Sequence, residues 1–515
     1  MPVSLNPRTF ERETITSPER PTVDLSLHPR ELEEQAWNAL RATNSQPDVF
    51  VDFQTRELVQ ILETESGPLF QRMSRDALRR ELLQRIRWEK GVGGREAYPP
   101  ERLVASMLSR RDAPLPVLRR VIHFPFYAAD GELVYRAGYD DLSQTYLAED
   151  FTAVQNLALA LAREPAERRV GEIRQPLQDF PFEDAASFAH VLALILTALL
   201  REMIPGPVPL FCVDKPCPGL GGTLLIQTAG TILTGRPLPA IPPPDRRDGA
   251  ELRRLLTSSI RDQPPIVLLD NWDDLRSASL AAILTAESFS DRQIGTSRTF
   301  CSQNRSVIVA VGNNLQLGPE IARRTVPIHL GLSGQDPLKR EDYRISDLQD
   351  WTRRHRRRLL AAVLALVEAW KAAGRPESPL RLPSFEPWSR LVGGILLANG
   401  VEGFLENLDL SCARGDAKWV DFFRAWFLRF GSQPVLAADL LPLAHEAGIV
   451  DKGKAAVQLG RKLSARAGSV FGGYQLEDAG RSDNTARYRL ICVSRTESAC
   501  MPADDAAPGA ANFLQ

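Results

Sequence analysis

The stretch F-C-V-D-K-P-C-P-G-L-G-G-T-L-L (211–225) breaks an apolar run on a Gly/Pro turn and resumes as a helix. Glycines in such a turn let successive backbone N–H groups converge on phosphate oxygens at a helix N-terminus. Gly219, Gly221 and Gly222 supply that freedom, Thr223 stands where a hydroxyl would hold a magnesium ion, and Pro218, Leu220 and Leu224 complete the loop. In the spacing G-x-x-x-x-G-K-[ST] the lysine would fall at Gly222 and the first glycine at Pro216. Lys215, at the base of the loop, is therefore the candidate replacement cation. Taken alone, the stretch reads equally as a tight strand–helix turn without a ligand, or as a degenerate site that binds without hydrolysing.

Three fragments downstream favour the nucleotide reading. P-P-I-V-L-L-D-N (264–271) is an apolar strand ending on Asp270, and a charge buried there has to be paired or metal-bound. As a magnesium ligand it would sit opposite Thr223. Asn271 stands where a glutamate base commonly follows; either Asp273 or Asp274 polarises water instead, or both cap the next helix. S-V-I-V-A-V-G-N-N-L (306–315) is a second apolar strand. Its Asn313 and Asn314 position an attacking water, or form an Asn-rich turn. Arg323 and Arg324 suit a finger reaching a neighbouring subunit's nucleotide, against the commoner surface pair. These parts in this order describe a P-loop ATPase with ATP and Mg²⁺ as cofactors, an α/β fold on a largely parallel sheet. Between the strands, S-D-R-Q-I-G-T-S-R-T-F-C-S-Q-N-R-S (290–306) is polar and basic with β character. Its Arg292, Arg298 and Arg305 line a channel for a nucleic-acid single strand, or belong to an ordinary exposed hairpin.

Bulk properties bound these readings. A chain of 515 residues is expected to hold roughly two to four domains. A net charge of −1 confines any nucleic-acid surface to a local patch. Six cysteines without C-x-x-C spacing, beside six histidines, argue against a zinc site and a disulfide framework and fit a reducing cytoplasm. No signal peptide is visible. The longest apolar runs, 190–200 and 359–367, fall short of the roughly 20 residues a membrane span needs.

In chain order, 1–25 reads as a flexible arm. Residues 26–160 read as an α+β accessory domain, with a hairpin over 48–62 and an Asp-Gly hairpin inside 124–140. The ATPase core follows over 161–350. It opens with an apolar helix, 181–204, expected to pack on the first core strand, with His190 as a core residue. A helical region spans 351–408, starting with a long helix over 350–374 whose basic start is taken as a solvated face. Three helices and a β pair over 409–494 follow winged-helix order, and 495–515 is a disordered tail.

The run L-L-D-N-W-D-D-L…D-R-Q-I-G-T-S…V-G-N-N-L…R-R-T-V-P-I, with R-L-P-S-F-E-P-W-S-R-L-V-G-G-I-L-L-A-N-G (381–400), resembles a known group. These are the helicase-like AAA+ proteins of phages, plasmids and integrated elements, related to superfamily-three and primase-fused helicases. The K-P-x-P-G-x-G run looks like theirs too, and the resemblance covers roughly residues 110–495. It implies a P-loop AAA+ core in a homo-oligomeric ring, expected as a hexamer, translocating on single-stranded DNA with a winged helix on duplex or fork. No D-x-D-type metal constellation precedes the core, which implies that priming falls to a separate primase. The expected activity is ATP-dependent DNA helicase or translocase in replication of a mobile genetic element. The alternatives are a catalytically degenerate ring-forming DNA-binding or assembly protein and a nucleotide-responsive ATPase of a phage-defence system.

Overall fold

The computed structural model describes residues 20–62, 64, 68–91, 93–244, 249–261, 263–286, 289–292, 299–332, 340, 342–450, 456–464, 466–468, 470–471, 474–482 and 485–492. Residues 1–19 of the expected arm, the tail 495–515 and Arg298 lie outside these. The chain divides into two compact units, one within 1–273, 277–315 and 324–405, the other within 274–276, 316–323 and 406–515.

The first unit opens with a correction. Residues 22–24 form a strand pairing in parallel with Arg87–Glu89, where the sequence predicts a loose arm. Val23, which is buried, anchors it among Trp37, Leu40, Leu82 and Trp88. The expected hairpin is Val49–Asp52 against Leu58–Leu62, and the Asp-Gly turn joins Phe126–Tyr127 to Leu133–Val134.

Helix α1 (Ala185–Leu199) starts where the Asp184 carboxylate accepts the Ser187 N–H at 2.7 Å. It is apolar on all sides and correspondingly buried all round. Each Leu or Ile it removes from water contributes about 1.5–3 kcal/mol. Strands β1 (Leu210–Lys215), β2 (Ala240–Ile241), β3 (Ile266–Leu275), β4 (Val307–Leu317) and β5 (Thr325–His329) form one sheet in the order β2-β3-β4-β1-β5. β1 runs parallel to β4 and β5, and β2 parallel to β3. α1 packs chiefly on β5 rather than on the expected β1. His190 is a core residue: its Nδ1 lies 2.6 Å from Pro327 O on β5 and its Nε2 accepts the Leu405 N–H at 3.0 Å. That N–H donor fixes the neutral tautomer, with the proton on Nδ1.

Helix α2 (Gly222–Thr234) leaves the carboxyl end of β1. The chain then returns to the far edge at β2, while β5 falls on the opposite side of β1. The winding therefore reverses at β1, and in open parallel sheets that reversal opens a crevice outside the strands' carboxyl ends. Helix α3 (Leu348–Ala372) is capped by Asp347 and ends just before Gly374, whose φ is +84°. Its basic start is a salt-bridged face: Arg353 and Arg354 meet Asp350, and Arg358 meets Glu172.

In the second unit, helix Leu408–Phe430 places Trp419, Phe422, Phe423 and Trp426 at i, i+3, i+4 and i+7 on one buried face. Strand Val435–Leu436 and helices Leu441–Glu446 and Ala456–Ser464 follow, then antiparallel strands Tyr474–Ser482 and Thr485–Cys492. Val435–Leu436 returns to pair with Thr485–Cys492. Tyr488 joins helix to sheet through Ser464 Oγ at 2.7 Å and Gly460 O at 3.0 Å.

Candidate active site

β1 ends at Lys215, and Pro216 and Pro218 stop the strand by withdrawing backbone donors. Gly219 and Gly221 take φ of +91° and +80°, values open to glycine, so that α2 begins abruptly with its first N–H groups facing the carboxyl edge of the sheet. Gly222 is glycine for a different reason. A Cβ there would stand 2.8 Å from Lys215 Cε and 3.1 Å from Val311 Cγ1. The stem of Lys215 fills the space that a side chain at 222 would need, so the cation comes from the strand and the loop residue yields to it.

Lys215 Nζ donates to Asn313 Oδ1 at 2.9 Å, as the pairing of Lys215 with Asn313 between β1 and β4 dictates. Burial pulls the lysine below its ordinary pKa, and the carboxylates of Asp270 and Asp214 oppose that shift. The Thr223 hydroxyl donates to Asp270 Oδ1 at 2.7 Å. The two residues expected to face each other do so, across 47 positions of sequence.

Two further bonds lace β1 to β4. Asn314 Nδ2 donates to Pro216 O at 3.0 Å, and the Leu315 N–H donates to Asp214 Oδ1 at 2.8 Å. Asn271 and Asn314 both hold positive φ, +60° and +48°, which asparagine tolerates better than most residues. Gly312 lets the two inner strands close up, since a Cβ there would lie 2.0 Å from Trp272 O. The strands run past the motifs: Asp270 is half-buried inside β3 and not at its tip, and Asn313 and Asn314 sit inside β4. Asp273 and Asp274 belong to β3 as well; the cap of the following helix is Ser277, and Asp274 pairs with Arg276.

A cleft of about 500 Å³ opens beside Gly219, Leu220, Gly221 and Leu224, walled by Phe180, Pro181, Tyr343 and Ile345. Phe180 presses on the bend, its Cε1 3.0 Å from where a Gly221 Cβ would be. Arg340 Nη1 donates to Asp179 O at 2.7 Å and the Arg344 N–H to Asp179 Oδ2 at 2.8 Å, fastening the cleft's two walls together. Nothing in the motif spacing marks this cleft; its residues come from segments on both sides of the sheet in sequence.

The remaining predicted residues fall elsewhere. Strands Phe289–Arg292 and Thr299–Ser302 pair antiparallel, so Arg292 belongs to a hairpin. Arg305 bonds to Gln303 and to the carbonyl of Arg201. Arg323 is exposed and pairs with Glu320 in the second unit, while the Arg324 carbonyl accepts the Leu210 N–H in the first. Among the described residues no group of three or more His, Cys, Asp or Glu could hold a metal, and no helix is long and apolar enough to cross a membrane.

No family model matches the chain, and no curated protein matches it. Among solved structures it is similar to the C-terminal region of NrS-1 in an apo form, with a TM-score of 0.37 and 10% identity over 87% of this chain and 96% of that one. It is also similar to SCCmec type IV Cch, described as an active helicase, with a TM-score of 0.33 and 10% identity over 85% and 91%. Superpositions this loose leave the functional argument to the chain's own geometry.

Proposed function

We propose that the chain is an ATP-dependent DNA helicase or translocase of a mobile genetic element, with a P-loop AAA+ core working in a ring. The observation that carries this is the Thr223–Asp270 contact at 2.7 Å, beside a glycine bend that opens a helix and a lysine threaded under it. A hydroxyl and a carboxylate are the hard oxygen donors Mg²⁺ takes alongside phosphates and water. Bound there, magnesium would neutralise charge developing on the transferring phosphoryl group.

The chain's own residues supply the rest. The N–H groups at the start of α2 receive phosphate oxygens, and Lys215 balances their charge. Asn313, already on Lys215, orients the attacking water, and Asn314 holds the loop against β4. The apolar cleft beside Gly221 takes the base and sugar. Arg323 or Arg324 serves a neighbouring protomer, and Arg292 on its hairpin tracks a single strand. The order of the second unit, a helix, a short strand, two helices and then antiparallel strands, supports a winged helix whose helix Ala456–Ser464, with exposed Arg461, faces DNA.

The test is ATP hydrolysis with and without single-stranded DNA, with assembly state read beside it. DNA-stimulated turnover lost in Asp270→Ala is expected; equal turnover in that variant would refute the assignment. Asn271 favours one second reading. It follows Asp270 where a carboxylate base is expected, and an amide takes no proton. A ring-forming assembly protein that binds nucleotide without hydrolysis would then show nucleotide-dependent oligomers and no turnover.

A further inference from the structure

At the opposite edge of the sheet, just before β4, four arginines converge on one acid. Arg120 Nη2 donates to Glu202 Oε1 at 2.7 Å, and Arg305 Nη1 lies 4.0 Å from Glu202 Oε2. Arg201 is 3% exposed and turns its terminal nitrogens to the carbonyls of Ile204, Gly206 and Asn304. Arg119 lies over the Phe53 ring, 4.2 Å from its centroid, and among the described residues its buried Nε has no acceptor. Among the described residues Glu202 is the one carboxylate acting on any of the four. The Nε of each arginine is buried without a partner, as is the hydroxyl of Ser306 next to Arg305. Four guanidinium groups and one carboxylate, mostly out of water, leave a positive excess that is costly unless an anion joins them.

We propose that Arg119, Arg120, Arg201 and Arg305 form a binding site for a phosphate group at the amino-terminal edge of the sheet. The guanidinium fork matches phosphate oxygens in pairs, which a lysine cluster would not. Among the described residues the Nε of all four arginines is left without an acceptor, and Arg119 and Arg305 are the half-exposed members through which the anion enters. Burial and the neighbouring Arg305 push Arg201 down to about 9, the direction expected of a cation lacking a counter-charge. The site is independent of the nucleotide reading: it lies at the other end of β4 and uses no residue of the cradle. The phosphate comes from a nucleic-acid backbone or from a free phosphate ion.

The experiment titrates inorganic phosphate into the full chain by calorimetry at fixed ionic strength, with chloride as control. Wild type is expected to bind phosphate, and Arg119→Gln to bind about tenfold more weakly with an unchanged circular-dichroism spectrum, since among the described residues no side-chain hydrogen bond of Arg119 would be lost. Glu202→Gln, which removes the competing carboxylate, is expected to bind more tightly. Equal affinity in wild type and Arg119→Gln would place any phosphate in the cradle and overturn the proposal, as would no binding by wild type. A short single-stranded oligonucleotide separates the sources. Displacement of phosphate by the oligonucleotide identifies a backbone phosphate, and phosphate binding untouched by it identifies the free ion.

Discussion

At the carboxyl edge of the sheet these polar side chains of the cradle each have a partner: Lys215 has Asn313, Thr223 has Asp270, and Asp214 has the Leu315 N–H. At the amino edge of the same strands, Glu202 is shared by arginines that leave several donors unused. The first arrangement is self-satisfied, so a ligand enters by replacing contacts of similar strength. The second is charged beyond what the protein neutralises, so a ligand enters by completing it. Preorganisation and charge excess are separate ways of making a site, and they respond differently to mutation.

The largest expected effect breaks the amino edge. Glu202→Ala leaves Arg120 buried with no counter-ion, and the cost expected is about 3–5 kcal/mol of stability, read as a fall in melting temperature. Phosphate should restore part of it; a variant as stable as wild type would mean the arginines are balanced elsewhere. At the carboxyl edge, Asp270→Ala should leave the melting temperature nearly unchanged while lowering ATP turnover by about a hundredfold or more, roughly 3 kcal/mol of barrier. Turnover assays beside melting curves decide it.

His190 supplies the reference point between the edges, a buried group satisfied wholly by protein. Burial pushes its pKa from 6.5 down to about 4, with repulsion from His329 adding to it and the Pro327 carbonyl and Asp184 opposing. Below 6.5 the unfolded chain takes the proton and the folded one does not, so stability is complete above that pH. It drains away as pH falls toward 4, by about 3 kcal/mol in all. A melting profile over that window should be flatter in His190→Gln; an equally steep one would assign the loss to other groups.

The smallest effect sharpens the comparison furthest. Lys215→Ala should weaken ATP binding by about tenfold to a hundredfold. Gly222→Lys alone should bind poorly too, because its side chain collides with the Lys215 stem. Together they should bind better than either alone, since each removes the other's fault. Additive losses, measured by nucleotide titration, would show that the two positions do not exchange roles.

The cradle was readable because its parts are local: a glycine bend, an apolar run, and a missing lysine with another nearby. The parallel sheet followed from apolar runs alternating with helical stretches, and its strand order did not. Strand ends were misjudged because the apolar run stops at Asp270 while the strand continues, with Trp272 turned inward between exposed Asn271 and Asp273. That alternation is the period of two that a half-buried strand leaves. Asp214 passed unnoticed because its partner is 101 residues away, and Arg120 because Glu202 is 82 away. Such pairings are set by strand register, which no local window contains.

Rooting the cation in β1 has a kinetic consequence. In a bend that carries its own lysine, any opening of the bend withdraws the charge as well. Here Lys215 hydrogen-bonds across to β4 from a strand flanked on both sides, so the glycine segment can breathe while the ammonium stays where it is. An arriving triphosphate would meet a fixed electrostatic post first and wrap its amide collar second.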